Sequence, residues 1–208
     1  MHAPDGRRVA PREESLPAGT TLYRVHWSRY GPTEYNPGPT PAAVTTRFAS
    51  FGAPTVPTLY AAETEDAALA EVLLHDVPVT GGQLDQRLVR SRVLSGITST
   101  RELRLVAFHG DGFRRIGRDA ADITRTSPRR YPETVPWAQA VHAAGFDGIV
   151  WMSLRHDSAK SYVFFGRHGK ESDFTAAAGV ARAFAFQQDM DWLTRKLLPL
   201  NVLITTAS

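Results

Sequence analysis

The chain has 208 residues and no cysteine, with 24 Lys and Arg residues against 21 Asp and Glu residues. The lack of thiols excludes disulfides, cysteine nucleophiles and cysteine-ligated zinc, and a 42% share of hydrophobic residues is enough for a globular core. A net charge of +3 does not by itself indicate nucleic-acid binding. No apolar run is long enough to span a bilayer and no secretory signal is recognisable, so we expect a cytoplasmic protein without a membrane partner.

The N-terminal part of the chain divides into a lead-in, a strand and a loop. Residues 1–18 are rich in Pro, Gly and charge, which predicts a flexible lead-in to a single domain over 19–208. The first predicted element is the strand TLYRVHW at 21–27, where polar Arg24 lies on one of two alternating faces. Residues 28–57 carry many Pro, Gly and Thr and predict a long loop, a type of segment that often binds ligands.

A short strand and a helix follow. The strand TLYAAE spans 58–63, and Thr64 is the expected N-cap of an alanine-rich helix. Glu71 is a polar residue among mainly apolar positions of this helix, and His75 is predicted to share its face four residues later. For His75 we favour an ordinary pairing with Asp76 over a role in orienting Glu71.

The second half of the chain mixes strands and helices without a regular βαβ alternation. The predicted strands are 87–94, 102–108, 147–153, 161–166 and 201–206. The predicted helices are 134–144, with Thr134 as N-cap and Gly145 as C-terminal stop, and 189–198. This mixture favours an α+β fold.

Familiar catalytic motifs are absent from the sequence. It contains no P-loop, no GxGxxG, no HExxH and no GxSxG, and its histidines are dispersed, so we expect no metal site. What remains is a set of polar residues at unusual places: Arg24 in the first strand, Tyr60 in the second, Glu71 in the helix and Ser153 at the end of a buried strand. Each of these alone has an ordinary structural explanation.

Four segments in order resemble the RES family: TLYRVHW, TLYAAETEDAALAEVLLHD, YPETVPWAQAVHAAGFDGIVWMS and SYVFFGRHG. The family is named for its Arg, Glu and Ser, and the matching positions here are Arg24, Glu71 and Ser153. The resemblance covers about residues 20–205, including the closing DWLTRKLLPLNVLI. It implies an ADP-ribosyltransferase-like α+β fold, with a central split mixed β-sheet flanked by helices.

The resemblance also implies a toxin that cleaves NAD at the nicotinamide–ribose bond and passes ADP-ribose to water, phosphate or a protein. NAD is then a substrate, no prosthetic group is expected, and the expected protein partner is a cognate antitoxin of the Xre type. Bond cleavage develops positive charge on the ribose, which a carboxylate stabilises.

The site residues that follow from this resemblance are five. Glu71, Arg24 and Tyr60 are the expected catalytic residues, with Glu71 beside the ribose and Tyr60 stacked on nicotinamide. Arg47, together with Arg24, is expected to hold the pyrophosphate, since a guanidinium binds phosphate oxygens in pairs. Ser153 is expected to anchor a hydroxyl or amide of NAD. Many relatives carry Gly before the arginine, where this chain has Thr46.

Two alternatives stay open. A non-catalytic module with the same fold would recognise a nucleotide or a protein, and the missing Gly before Arg47 favours it. Nucleic-acid binding through the basic loop Arg125–Arg130 rests on charge alone, and no direct contact with nucleic acid is expected.

Overall fold

The computed structural model describes residues 1–39, 46–166 and 173–206. Within these ranges the strands are β1 (Glu13–Leu16), β2 (Thr21–Trp27), β3 (Thr58–Ala62), β4 (Gly82–Asp85), β5 (Arg92–Ser99), β6 (Leu103–Phe108), β7 (Gly148–Met152), β8 (Lys160–Phe165), β9 (Phe174–Ala183) and β10 (Val202–Thr205). The helices are α1 (Glu65–Leu73), α2 (Gln86–Arg90), α3 (Gly112–Ile116), α4 (Ala120–Ile123), α5 (Tyr131–Ala143) and α6 (Gln187–Leu197). No helix in these ranges has the length and apolar character required to cross a membrane.

Eight strands form one curled mixed sheet in the order β1-β6-β7-β8-β3-β2-β5-β9. In the described part of the chain, only β6 and β7 pair in parallel within this sheet, and β4 and β10 form a separate parallel pair. Strands β2 and β3 are in register only at Tyr23 and Ala62, so the sheet is nearly divided at this joint. The α+β class and the mixed sheet flanked by helices are therefore confirmed.

The two faces of the sheet bury different cores. One face packs against α1, α5 and α6, and its largest buried side chains include Phe48, Phe108 and Trp151. The opposite face buries a second set that includes Leu22 and Phe164. Burial of this aromatic and aliphatic surface is the main stabilising contribution to the fold.

Helix α1 forms where the sequence predicts it. The hydroxyl of Thr64 accepts a hydrogen bond from the Ala67 amide at 3.1 Å, and Glu65 and Asp66 occupy the first turn, where the helix dipole favours negative charge. The helix ends at Leu73. His75, expected on the face of Glu71, therefore lies in the turn that follows the helix.

Three predicted boundaries were wrong. The stretch 1–18 is not a lead-in, because β1 pairs antiparallel with β6 and Ala3 is buried. Residues 86–90 form a helix rather than the start of a strand. Helix α5 begins three residues before the expected cap Thr134, whose side chain is fully buried and donates to the Arg47 carbonyl.

Candidate active site

The carboxylate of Glu71 is held by Ser153, 82 residues further along the chain. Ser153 Oγ donates to Glu71 Oε1 at 2.6 Å, and Ser161 Oγ lies 3.5 Å from the same oxygen. Ser153 is fully buried, and its oxygen accepts from the backbone N–H groups of Arg155 at 3.2 Å and His156 at 3.0 Å. Glu71 is only half-buried, so the carboxylate is fixed in position and still partly open to solvent.

Tyr60 lies on the same side of the sheet as Glu71. Ala62 is directly opposite Ser161 in the β3–β8 pair, and directly opposed residues of an antiparallel pair point to one face. Tyr60, two residues before Ala62, shares that face. The ring of Tyr60 is half-buried and meets the Trp151 ring edge-on, with centroids 6.3 Å apart.

The hydroxyl of Tyr60 fixes the turn that carries Arg47. It bonds Thr46 Oγ1 at 2.8 Å and accepts from the Phe48 amide at 3.1 Å. Burial raises the pKa of Tyr60, so the residue acts as a neutral phenol. Arg47 lies between Thr46 and Phe48 in the chain, so the Tyr60 hydroxyl holds its backbone in place.

The guanidinium of Arg47 is anchored at one end. Its Nη1 donates to the carbonyls of Ile123 at 3.3 Å and Thr126 at 3.1 Å, and to Thr126 Oγ1 at 2.8 Å. Among the described residues these are its hydrogen-bond partners, and all of them use Nη1. Burial lowers the pKa of Arg47, while the negative charge of Glu71 acts in the opposite direction, so the two side chains are electrostatically coupled.

Arg24 lies apart from this group. In the β2–β5 pairing, Arg24 lies opposite Ser95. Its neighbour Tyr23 pairs with Ala62, which is on the same sheet face as Tyr60. Because successive strand residues point to opposite faces, the side chain of Arg24 is on the face away from Tyr60. Its Nη1 donates to the carbonyls of Pro32 at 2.8 Å and Glu34 at 2.9 Å.

The Nε atom of Arg24 is buried without a hydrogen-bond partner in the part of the chain that the structure describes. Burial lowers the pKa of Arg24 to about 10, and the side chain therefore stays charged at neutral pH. The structure brings Glu71, Ser153, Tyr60 and Arg47 together on one side, and no described contact joins Arg24 to them.

Three further residues complete the surroundings of Glu71. Tyr131 Oη lies 2.9 Å from His75 Nε2, and its ring lies 5.3 Å from the Arg47 guanidinium. His75 Nδ1 lies 2.8 Å from Asp76 Oδ1, which confirms the expected pairing with Asp76. The exposed Arg155 guanidinium donates to the His75 carbonyl.

Sequence reasoning missed Tyr131 and Arg155 because each meets His75 only through the tertiary fold, from 56 and 80 residues away. The one local signal was the position of Tyr131 in the YPET run that starts α5, inside a segment already quoted as family-like.

The basic loop does not form an uninterrupted positive surface. Arg130 pairs with Glu133 at 2.7 Å, and Arg125 lies 3.8 Å from Asp157. Within 1–39, 46–166 and 173–206, no group of three or more His, Asp or Glu residues is arranged to hold a metal ion.

Comparison with known proteins places the chain in a family. No curated protein matches the chain significantly in sequence. The fold is similar to a chain in the crystal structure of the M. tuberculosis MbcT–MbcA toxin–antitoxin complex, with a TM-score of 0.59 and 12% identity over 84% of this chain and 90% of that one. The family model described as "RES domain" matches residues 21–189, a range that includes Arg24, Tyr60, Glu71 and Ser153. The chain therefore belongs to the RES-domain family.

Proposed function

We propose that this protein is a toxin that cleaves NAD at the nicotinamide–ribose bond and passes ADP-ribose to water, phosphate or a protein acceptor. The observation that carries the proposal is the 2.6 Å hydrogen bond between Ser153 and Glu71. It joins the positions of the family's Ser and Glu, and it leaves the carboxylate partly open.

The chemistry requires a fixed negative charge. Departure of nicotinamide with the bonding electron pair leaves positive charge on the ribose, as in glycoside cleavage. A carboxylate that is already oriented stabilises this charge without reorganisation, and partial burial strengthens the interaction by lowering the local dielectric constant. Glu71 meets both conditions.

The neighbouring residues have complementary proposed roles. Arg47 binds the pyrophosphate through the part of its guanidinium that does not bond Ile123 and Thr126. Tyr60 offers its ring to nicotinamide and fixes the Arg47 turn through its hydroxyl. Ser153 acts through Glu71, since its hydroxyl hydrogen is already directed at that carboxylate.

Arg24 keeps the role that the family resemblance implies, which is to hold the pyrophosphate together with Arg47. It lies in β2, next to the residue at which β2 and β3 pair. The unpartnered Nε is a donor that a bound phosphate or ribose oxygen would satisfy.

A protein partner is also proposed. The similar fold in the MbcT–MbcA structure belongs to a toxin–antitoxin complex, which supports a cognate antitoxin, expected to be of the Xre type, that restrains NAD cleavage by this chain. Co-purification with the product of a neighbouring gene tests this partner.

The test of NAD cleavage is nicotinamide release, followed by chromatography after incubation of the purified protein with NAD. Loss of an electrostatic stabiliser lowers rates by roughly 10²–10³-fold or more, and we expect this for Glu71→Ala. Glu65→Gln, six residues earlier in the same helix, is the matched control and should keep wild-type activity. No release by the wild type contradicts the proposal, and NAD binding without release would favour the non-catalytic module.

A further inference from the structure

The residues Asp76, His75 and Tyr131 form a continuous hydrogen-bonded series beside Glu71. The distances are 2.8 Å from Asp76 Oδ1 to His75 Nδ1 and 2.9 Å from His75 Nε2 to Tyr131 Oη. A carboxylate, an imidazole and a hydroxyl in this order are the arrangement by which enzymes draw a proton from a hydroxyl group.

The direction of each hydrogen bond follows from the groups involved. An ionised carboxylate only accepts, so the hydrogen of the neutral imidazole lies on Nδ1, toward Asp76. Nε2 is then an acceptor, and the Tyr131 hydroxyl donates to it. Both lone pairs of the Tyr131 oxygen remain able to accept a proton from another group.

The series lies at the candidate active site. His75 follows Glu71 by four residues, and the Tyr131 ring is 5.3 Å from the Arg47 guanidinium. Burial raises the pKa of Tyr131, the charge of Arg47 lowers it and the charge of Glu71 raises it. The Asp76 end of this series is open to solvent, because 91% of the Asp76 side chain and 30% of the His75 side chain are exposed.

We propose that Tyr131 and His75, oriented by Asp76, relay the proton of the acceptor hydroxyl during NAD cleavage. This inference rests on the proposed function and adds the step that the Glu71 carboxylate does not supply. As the C1′–N bond breaks, nicotinamide leaves as a neutral molecule with the bonding pair. The acceptor oxygen bonds C1′ and gives its proton to Tyr131 Oη, Tyr131 gives its own proton to His75 Nε2, and the imidazolium releases the proton to solvent.

The relay assigns a chemical class to the acceptor. It must carry an exchangeable O–H, as water, a phosphate monoanion or a hydroxyl side chain does. The exposed Arg155, bonded to the His75 carbonyl, adds positive charge at this entrance. The acceptor therefore approaches Tyr131, where the turn after α1 meets the start of α5.

The experiment is nicotinamide release from NAD by wild type, His75→Ala, Tyr131→Phe and their double variant. General-base assistance contributes roughly 10²–10⁴-fold to the rate, so we expect each single variant to release nicotinamide more slowly than wild type by a factor in that range. The double variant should fall little further, because residues that act as one unit are not additive. His2→Ala, which changes an exposed histidine near the N-terminus, is the matched control and should retain full activity.

Added imidazole distinguishes proton transfer from structural support. It should restore part of the activity of His75→Ala and none of that of Tyr131→Phe, while thermal melting confirms that both variants fold. If His75→Ala does not fold, His75→Gln retains a hydrogen-bonding side chain and should show the same loss.

The outcomes separate this inference from the function on which it rests. Release by wild type with equal release by His75→Ala overturns the relay and leaves NAD cleavage intact. Absence of imidazole rescue in a folded His75→Ala variant also overturns it. Absence of release by the wild type itself overturns the proposed function and the relay together.

Discussion

Among single residues, Ser153 is the one that orients the Glu71 carboxylate. Ser153→Ala removes the donor at 2.6 Å and leaves the amides of Arg155 and His156 without their acceptor. A hydrogen bond to a charged group contributes about 1.5–3 kcal/mol, which corresponds to about 10- to 150-fold in rate.

We therefore expect kcat of Ser153→Ala to lie between wild type and Glu71→Ala, with little change in KM. Ser158→Ala, an exposed serine in the same turn, is the control. A rise in KM for NAD at constant kcat would instead show that Ser153 binds the ligand directly, as the family resemblance first suggested.

His26 predicts a pH-dependent stability that is separate from catalysis. Burial lowers its pKa, and the charge of Arg24 lowers it further. The unfolded chain therefore takes up a proton below about pH 6.5 while the folded chain does not, so stability should fall as the pH drops below that value. Thermal melts between pH 7.5 and 5.5, chosen as about one unit either side of the unfolded pKa, should show a smaller decline for His26→Gln than for wild type. Identical declines would refute the assignment.

Among the elements, strand β3 holds the turn at residues 46–48 through the hydroxyl of Tyr60. Tyr60→Phe keeps the ring and removes the contacts to Thr46 and to the Phe48 amide. We expect a stability loss of about 1–3 kcal/mol and a larger rise in KM than fall in kcat, because Arg47 loses its fixed position.

The matched control for this change is Tyr162→Phe, which alters the same atom on the opposite sheet face. Urea unfolding and steady-state kinetics measure the two effects. A Tyr60→Phe protein with wild-type KM would show that the turn does not depend on this hydroxyl.

Elements with a strong local signal were predictable, and elements defined by pairing were not. Thr64 and the acidic first turn specified the start of α1, and Gly145, with φ of +81°, ends the segment after α5 as expected. Strand β1 has four residues and pairs with β6, about 90 positions away, so no local periodicity marks it. Strand β9 (FTAAAGVARA) is rich in Ala and was not predicted, because it also lacks a local periodicity.

At the scale of the whole molecule, strand order creates the site. Glu71 follows β3, Ser153 follows β7, and both strands pair with β8, so the two residues meet across one intervening strand. Sequence reasoning identified both residues through family-like segments, but the separation of Arg24 onto the other face depends on the β2–β3 register, which no local pattern reveals.

NAD cleavage assisted by the Glu71 charge is tested most directly by the rate of nicotinamide release by wild type and Glu71→Gln at saturating NAD. The glutamine keeps the size of the side chain and its bond to Ser153 while removing the charge. Release by wild type, reduced by roughly 10²-fold or more in the variant, is the predicted result. Equal rates, or no release by a folded wild-type protein, would contradict the account.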